Sequence, residues 1–225
     1  MNNQSETFTL AGHAGNMEGL IDLPETAPRG LALIAHPHPL YGGTMENKVT
    51  VTLARTFVNL GYVAVRMNFR GVGASEGVHD HGHGVTDDMQ LLLEHMRRQY
   101  PALPLALAGF SFGTFVMSQL QQRLTESSNA GNDAGSNAAG APADRLVLVG
   151  AAAGKWAMPD IPANTILIHG ELDETIPLKD VFEWLRPQNI PVIVIPGADH
   201  FFHRKLQHIK SYVAQMWHNE APDAR

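Results

Sequence analysis

Two serines stand in the pattern Gly-x-Ser-x-Gly, one in "GASEG" at 73–77 and one in "GFSFG" at 109–113. A serine held on a tight turn in this pattern can attack an acyl carbon as a nucleophile. Glycine and serine are also common in ordinary turns, so the pattern alone does not choose between Ser75 and Ser111. The elements on either side of each serine must decide.

A nucleophilic serine of this type follows directly after a buried strand and directly before a helix. The apolar run "PLALAG" (104–109) leads into Ser111, and the helix-forming stretch "TFVMSQLQQRL" follows. Ser75 instead lies in a glycine-rich loop, several residues after the apolar run at 62–69. We therefore predict that Ser111 is the nucleophile and that Ser75 is a turn residue.

The chain around these serines alternates short apolar runs with longer stretches of helical period. The runs are "LALIA" (31–35), "YVAVRMNF" (62–69), "PLALAG" (104–109), "RLVLVG" (145–150), "TILIHG" (165–170) and "PVIVIPG" (191–197). Runs that are nearly continuous in apolar residues are typical of parallel strands covered on both faces. We predict an α/β fold with a doubly wound, mostly parallel sheet flanked by helices, and an antiparallel hairpin within residues 6–25 at one edge.

A serine nucleophile needs a base and an acid, which in this kind of sheet follow it in the order acid, then histidine. The run at 165–170 is followed by "ELDETIP", which offers Asp173. The run at 191–197 is followed by "ADHFF", which offers His200. The alternatives are Glu171 and Glu174 for the acid and His203 for the base.

Together, "GFSFG", "HGELDETIP" and "GADHFF" resemble the three triad segments of the α/β-hydrolase superfamily, over roughly residues 30 to 205. The string "HPHPLYGGTMENKV" resembles a group of small bacterial α/β hydrolases without a lid, which are distantly similar to dienelactone hydrolases. This chain departs from the latter in having Ser rather than Cys as nucleophile. The resemblance implies a triad of Ser111, His200 and Asp173 that cleaves carboxylic esters through an acyl-enzyme intermediate.

The resemblance also implies an oxyanion hole made of two backbone N–H groups. One belongs to the residue after the nucleophile, Phe112. The other occupies the third position of a His-Gly-x segment in many family members, which here is His38. The chemistry agrees, because Pro37 and Pro39 have no N–H to donate.

Many members of the superfamily carry a lid between the strands that correspond here to 145–150 and 165–170. Only 14 residues, 151–164, separate these runs, so we expect no cap domain and an open site. We expect Tyr41 and Trp156 at the pocket, with packing beneath the loop as the alternative for Trp156. Residues 1–225 are predicted to form one domain with a flexible low-complexity insertion at about 126–143, where no large apolar side chain occurs.

Composition narrows the function classes further. The net charge is −6 and the 16 Lys and Arg are scattered, so we expect no nucleic-acid partner. The chain has no cysteine, no secretory pattern in its first residues and no apolar run near the roughly 18 residues of a membrane span, so we expect a cytoplasmic protein that does not bind membranes.

We expect no cofactor and no metal, although the histidine-rich loop with His79, His81 and His83 leaves adventitious metal binding open. The expected partner is a small acyl ester, and a homodimer is left open. An acyltransferase or a thioesterase would use the same triad, and a non-catalytic binding protein on this fold is a further alternative.

Overall fold

The computed structural model describes residues 5–80, 82–130 and 141–218. Eight strands form one sheet in the order β1-β2-β4-β3-β5-β6-β7-β8. The strands are β1 (Ser5–Gly12), β2 (Gly15–Asp22), β3 (Gly30–Ala35), β4 (Tyr62–Met67), β5 (Leu105–Phe110), β6 (Arg145–Val149), β7 (Ile166–Gly170) and β8 (Ile193–Ile195). The helices are α1 (Lys48–Asn59), α2 (His83–Gln99), α3 (Phe112–Asn129), α4 (Leu178–Leu185) and α5 (Leu206–His218).

The strand directions confirm the predicted fold class. Strands β3 to β8 run parallel to one another, and the β1–β2 hairpin joins β4 at one edge in antiparallel pairing. Each predicted apolar run overlaps an observed strand. Because β3, β5, β6 and β7 are buried on both faces, alternation with polar residues would have placed polar groups in the core.

Two apolar clusters cover the two faces of the sheet. Leu31 and Leu33 of β3 pack into the cluster formed with α2, α3 and α4. Ala32 and Ile34 of the same strand pack into the cluster formed with α1 and α5. Helices therefore lie on both faces, as the doubly wound fold requires, and the carboxyl ends of the parallel strands meet at one edge.

The connection between β6 and β7 is short and carries no helix. Residues 151–164 form turns and extended chain, so no cap domain is inserted at this point of the described chain. The region predicted as a flexible insertion begins inside α3, which continues through Asn129. At its other end Ala143 is buried, and its N–H donates to the Gln121 side chain at 2.8 Å. Residues 131–140 lie outside the described residues, and the insertion stays a prediction.

Residues 5–80, 82–130 and 141–218 contain no candidate for a membrane-spanning helix. None of the helices there combines the length and the apolar character needed to cross a bilayer. The cytoplasmic location expected from the sequence stays a prediction.

Candidate active site

Ser111 lies on the sharp turn between β5 and α3. Its backbone φ is 54° and its ψ is −122°, a left-handed conformation that residues with a side chain rarely adopt. Surrounding hydrogen bonds hold this turn: the Ser111 N–H donates to the Val149 carbonyl at 3.0 Å, and the Thr114 N–H donates to the Ser111 carbonyl at 2.8 Å. The strand-turn-helix context predicted from the sequence is therefore present at Ser111.

The two glycines of "GFSFG" are required by close backbone packing. A Cβ atom on Gly109 would lie 2.4 Å from the Gly113 carbonyl oxygen. A Cβ atom on Gly113 would lie 2.4 Å from the carbonyl oxygen of Ala35, at the end of the neighbouring strand β3. Both distances are too short for any side chain, so the start of α3 can approach β3 only because glycine stands at these positions.

His200 joins Ser111 to Asp173. The His200 Nε2 atom lies 2.9 Å from the Ser111 Oγ atom, and its Nδ1 atom lies 2.6 Å from the Asp173 Oδ2 atom. A carboxylate only accepts, so the Nδ1 atom of His200 carries the hydrogen of this contact. That leaves Nε2 as the acceptor for the serine hydroxyl, which is the tautomer a general base needs.

Asp173 is buried and held on both of its oxygens. Its Oδ1 atom accepts from the N–H groups of Thr175 and Ile176 at 2.9 and 2.7 Å, which leaves Oδ2 for His200. This loop follows β7, and His200 follows β8, so the parallel strands bring the two residues together.

Of the alternative acids, Glu174 is exposed and Glu171 is engaged elsewhere, as is the alternative base His203. The Glu171 side chain accepts from the Gly197 N–H at 2.7 Å. The exposed His203 contacts Asp199 on the surface, at 2.5 Å between Nδ1 and Oδ2. Of the candidates considered from the sequence, the structure places His200 beside Ser111 and Asp173 beside His200.

His169 is a buried polar residue of this region that the sequence analysis missed. Its Nε2–H donates to the Ile176 carbonyl at 2.9 Å, and the same nitrogen lies 3.4 Å from the Asp173 Oδ2 atom. Burial lowers the pKa of His169, so the ring is neutral near pH 7. The available signal was a histidine within an otherwise apolar strand, "TILIHG".

His36 orients the peptide unit that precedes the predicted oxyanion donor. Its Nδ1–H donates to the Pro37 carbonyl at 2.6 Å, and its Nε2 accepts from the Phe69 N–H at 2.9 Å. Burial lowers the pKa of His36 to about 4, so the ring stays neutral and keeps both bonds. Because a peptide unit is planar and rigid, fixing the Pro37 carbonyl also fixes the direction of the His38 N–H.

His38 itself is held by a tight turn. Its carbonyl accepts from the N–H groups of Tyr41 and Gly43, both at 3.1 Å, and its ring nitrogen accepts from the Leu40 N–H at 3.2 Å. Phe112, the other predicted donor, is the first residue of α3. A helix provides no internal acceptor for the N–H groups of its first turn, so this N–H points out of the helix end.

A cleft of about 330 Å³ opens above Ser111. Its lining residues are Pro37, His38, Tyr41, Gly42, Gly43, Asn47, Ser111, Thr175, His200 and Phe201. Tyr41 therefore lies at the cleft, as we expected from the sequence. Trp156 is not among the lining residues; its ring packs against Phe112 and Phe115, at centroid distances of 4.7 and 5.2 Å, and lies 5.7 Å from the ring of His38.

Ser75 has a different environment. Its hydroxyl donates to the Asn68 carbonyl at 2.7 Å and accepts from the Glu18 N–H at 3.0 Å, so it connects its loop to strand β2 and to the residue that follows β4. In the histidine-rich loop, the His79 ring packs against His38 at 4.6 Å. His81 and the side chain of His83 lie outside the described part of the chain.

Comparison with known proteins finds hydrolases among those similar to this chain. A family model described as "Serine aminopeptidase, S33" matches residues 27–131. An uncharacterized protein of Rickettsia prowazekii is 31% identical over 204 residues, which cover 87% of this chain and 82% of that protein. A lysophosphatidylserine lipase of Danio rerio is 31% identical over 118 residues, which cover 51% of this chain but only 28% of the lipase.

Two solved structures extend the similarity over nearly the whole chain. A serine hydrolase without a lid from Xanthomonas campestris is 33% identical, with 99% of each chain covered and a TM-score of 0.84. A serine hydrolase homologue from Coxiella burnetii is 30% identical, with 93% of this chain and 96% of that chain covered and a TM-score of 0.74. The distant resemblance to dienelactone hydrolases is not confirmed by these matches. The chain belongs to the α/β-hydrolase superfamily and is a hydrolase of the type that has no lid.

Proposed function

We propose that this hydrolase cleaves carboxylic esters of small molecules through a triad of Ser111, His200 and Asp173. The observation that carries the proposal is the continuous contact from the Ser111 Oγ atom through both His200 ring nitrogens to the Asp173 carboxylate, at 2.9 and 2.6 Å. A serine hydroxyl is a weak nucleophile alone, and this contact supplies the base that activates it.

The first half of the reaction forms the acyl-enzyme. The Ser111 Oγ atom attacks the carbonyl carbon of the ester while its proton passes to the His200 Nε2 atom. Asp173 holds the imidazole in orientation and stabilises the imidazolium that forms. When the tetrahedral intermediate collapses, the bond between carbon and alkoxy oxygen breaks, and His200 returns the proton to the leaving alcohol.

Water completes the cycle. A water molecule gives a proton to the His200 Nε2 atom as its oxygen attacks the acyl carbon. The bond to the Ser111 Oγ atom then breaks, the serine takes up the proton, and the carboxylic acid leaves. Since the described residues form no cap over this site, water has direct access to the acyl-enzyme, which favours hydrolysis over transfer to another acceptor.

The backbone N–H groups of His38 and Phe112 are our proposed oxyanion donors. Negative charge develops on the carbonyl oxygen in each tetrahedral intermediate, and fixed donors stabilise it without reorganising. The His36 contact to Pro37 supports this role for His38, because it fixes the peptide unit that carries the donor. Loss of one such donor costs on the order of 100- to 1000-fold in rate.

The lining of the cleft favours a neutral ester over a peptide, which the description of the matched family suggests, and over a phospholipid, which the name of the similar lipase suggests. A peptide with a free amino terminus needs a carboxylate for its ammonium group, and an anionic phospholipid needs Lys or Arg. None of the described residues that line the cleft is Asp, Glu, Lys or Arg. A charged group would therefore lose its hydration there without gaining an ion pair.

The test is hydrolysis of p-nitrophenyl butanoate, measured before the steady state. The proposal predicts a burst of p-nitrophenol equal to the enzyme concentration wherever deacylation is slower than acylation, and a butanoyl group found on Ser111 by mass spectrometry after an acid quench. The Ser111→Ala variant is the control and should show neither. A folded wild-type protein that hydrolyses no activated ester would contradict the proposal.

A further inference from the structure

Asn47 forms part of the cleft wall and also caps helix α1. Its Oδ1 atom accepts from the Val49 N–H at 2.9 Å. A backbone N–H only donates, so the atom that faces it must be the amide oxygen rather than the nitrogen. The helix cap therefore fixes the orientation of the side chain and leaves the Nδ2 atom as the polar side-chain group of this cleft residue that the cap does not use.

The Nδ2 atom of Asn47 has no hydrogen-bond partner among the described residues, and the side chain is half-buried. An amide nitrogen carries two hydrogens to donate and has no lone pair to accept with. A group in the cleft that bonds to it must therefore offer an acceptor atom, and in an ester substrate that atom is an oxygen.

The backbone around Asn47 is held in place before any substrate arrives. The Asn47 N–H donates to the Thr44 carbonyl at 3.0 Å. Both backbone groups of Met45, two residues earlier, are hydrogen-bonded: its N–H donates to the Asn68 side chain and its carbonyl accepts from Arg66, both at 2.8 Å. A donor fixed in this way loses little entropy when it binds, which gives it value for selecting substrates.

The nature of the acceptor follows from the charge and the size of the cleft. A charged acceptor is disfavoured for the reason given above, which leaves ether, hydroxyl and carbonyl oxygens. The volume of about 330 Å³ lies at the small end of ligand pockets, so the part of the ester that the cleft encloses is short.

We propose that Asn47 is a specificity-determining residue that donates a hydrogen bond to a second, neutral oxygen of a short ester substrate. The inference rests on the proposed ester hydrolysis and adds the substrate class: oxygenated short esters are preferred over alkyl esters of the same shape. The second oxygen stands in the acyl part or in the alcohol part of the substrate.

The experiment compares esters that differ only by oxygen in place of a methylene group. One pair varies the acyl part, p-nitrophenyl methoxyacetate against p-nitrophenyl butanoate. The other varies the alcohol part, methoxyethyl acetate against butyl acetate. The quantity measured is the preference, which is the ratio of kcat/KM for the oxygenated ester to kcat/KM for the alkyl ester. Comparing preferences between proteins cancels the intrinsic reactivity of each ester and any common loss of active enzyme.

The variants keep the helix cap while removing the donor. Asn47→Ser and Asn47→Asp both retain an oxygen that can accept from the Val49 N–H, since Ser, Asp and Asn are all favoured at this position. Neither offers an amide N–H to the cleft. Glu46→Gln is the matched control, because it changes the adjacent exposed residue, which is not part of the cleft lining.

We expect both Asn47 variants to lose about tenfold in preference for at least one pair, which corresponds to one neutral hydrogen bond. Glu46→Gln should keep the wild-type preference in both pairs. A preference that is unchanged in both Asn47 variants for both pairs would overturn the inference while leaving the proposed ester hydrolysis intact. A wild-type protein that hydrolyses none of the four esters would instead overturn the proposed function, and the inference with it.

Discussion

The two Gly-x-Ser-x-Gly segments share a pattern and have different structures. In 109–113 the serine has a left-handed backbone, its turn joins a buried strand to a helix, and its hydroxyl faces His200. In 73–77 the serine lies in a loop, and its hydroxyl is bonded to the backbone of Asn68 and Glu18. The difference shows that the flanking elements, rather than the pentapeptide itself, decide whether the serine hydroxyl faces a histidine or bonds to the backbone.

The two segments are also structurally connected. Ser75 bonds the Asn68 carbonyl, and the next residue, Phe69, donates its N–H to His36. His36 in turn holds the Pro37 carbonyl beside the proposed oxyanion donor. The segment at 73–77 thus supports the loop of His36 and Pro37, which faces the segment at 109–113. Replacing Ser75 should therefore lower stability, whereas replacing Ser111 should lower catalytic activity.

Replacing the elbow serine should have the largest effect. For Ser111→Ala we expect kcat on p-nitrophenyl butanoate to fall by about 10⁵-fold or more, because the nucleophile itself is lost. The melting temperature should stay close to that of the wild type, since the strained turn remains and alanine fits the same space. Residual turnover within about tenfold of the wild type would contradict the assignment of the nucleophile.

Asp173→Asn should have the next largest effect. The amide keeps the shape of the carboxylate but favours the wrong tautomer of His200, and we expect kcat to fall by about 10⁴-fold. Labelling of Ser111 by a fluorophosphonate should slow in parallel. Asp199→Asn, which removes the surface partner of His203, is the matched control and should change kcat less than threefold. If the control lost as much activity as Asp173→Asn, the assigned acid would be wrong.

The pH dependence of stability tests the connection through His36. The pKa of His36 is about 4 in the folded protein and 6.5 as its ordinary value, so the unfolded chain binds more protons between these two pH values. The stability from neutral His36 is therefore present above pH 6.5 and is lost as the pH falls towards 4. The loss amounts to about 3 kcal/mol in the free energy of unfolding.

Denaturant unfolding at several pH values measures this loss. His36→Asn is the comparison protein, because its amide can still donate to the Pro37 carbonyl but does not titrate. The wild type should lose more stability than the variant between pH 6.5 and pH 4. Identical pH profiles would contradict a neutral, buried His36.

Ser75→Ala should have the smallest effect on catalysis. Removing this hydroxyl leaves the Asn68 carbonyl and the Glu18 N–H without their buried partner, and we expect a loss of about 1 to 2 kcal/mol in the free energy of unfolding. The kcat value should stay within about twofold of the wild type, measured well below the melting temperature. A fall in kcat comparable to that of Ser111→Ala would contradict the assignment of Ser75 as a turn residue and would favour it as the nucleophile.

The fold was predictable because it depends on repeated patterns. Buried parallel strands need long apolar runs, and Val85, Met89, Leu92 and Met96 recur at helical spacing and are all buried in α2. The short helix α4 was not predicted, because eight residues give little periodicity. That Ser111, Asp173 and His200 lie close together could be predicted as well, since each follows a parallel strand and these strands place their carboxyl ends at one edge.

Contacts between distant side chains could not be predicted in the same way. The bond from the Phe69 N–H to His36 spans 33 residues, and its existence depends on how two loops pack. The same holds for Trp156, whose ring packs against Phe112 and Phe115. Residue type showed that these groups are polar or aromatic, but their partners are fixed only by the folded chain.

The most direct test of the central claim is labelling with a fluorophosphonate, followed by peptide mass spectrometry to locate the adduct. Our account predicts a single adduct on the peptide that contains Ser111, lost in His200→Ala and retained in Ser75→Ala. An adduct on the peptide that contains Ser75, or labelling of Ser111 that persists undiminished in His200→Ala, would contradict it.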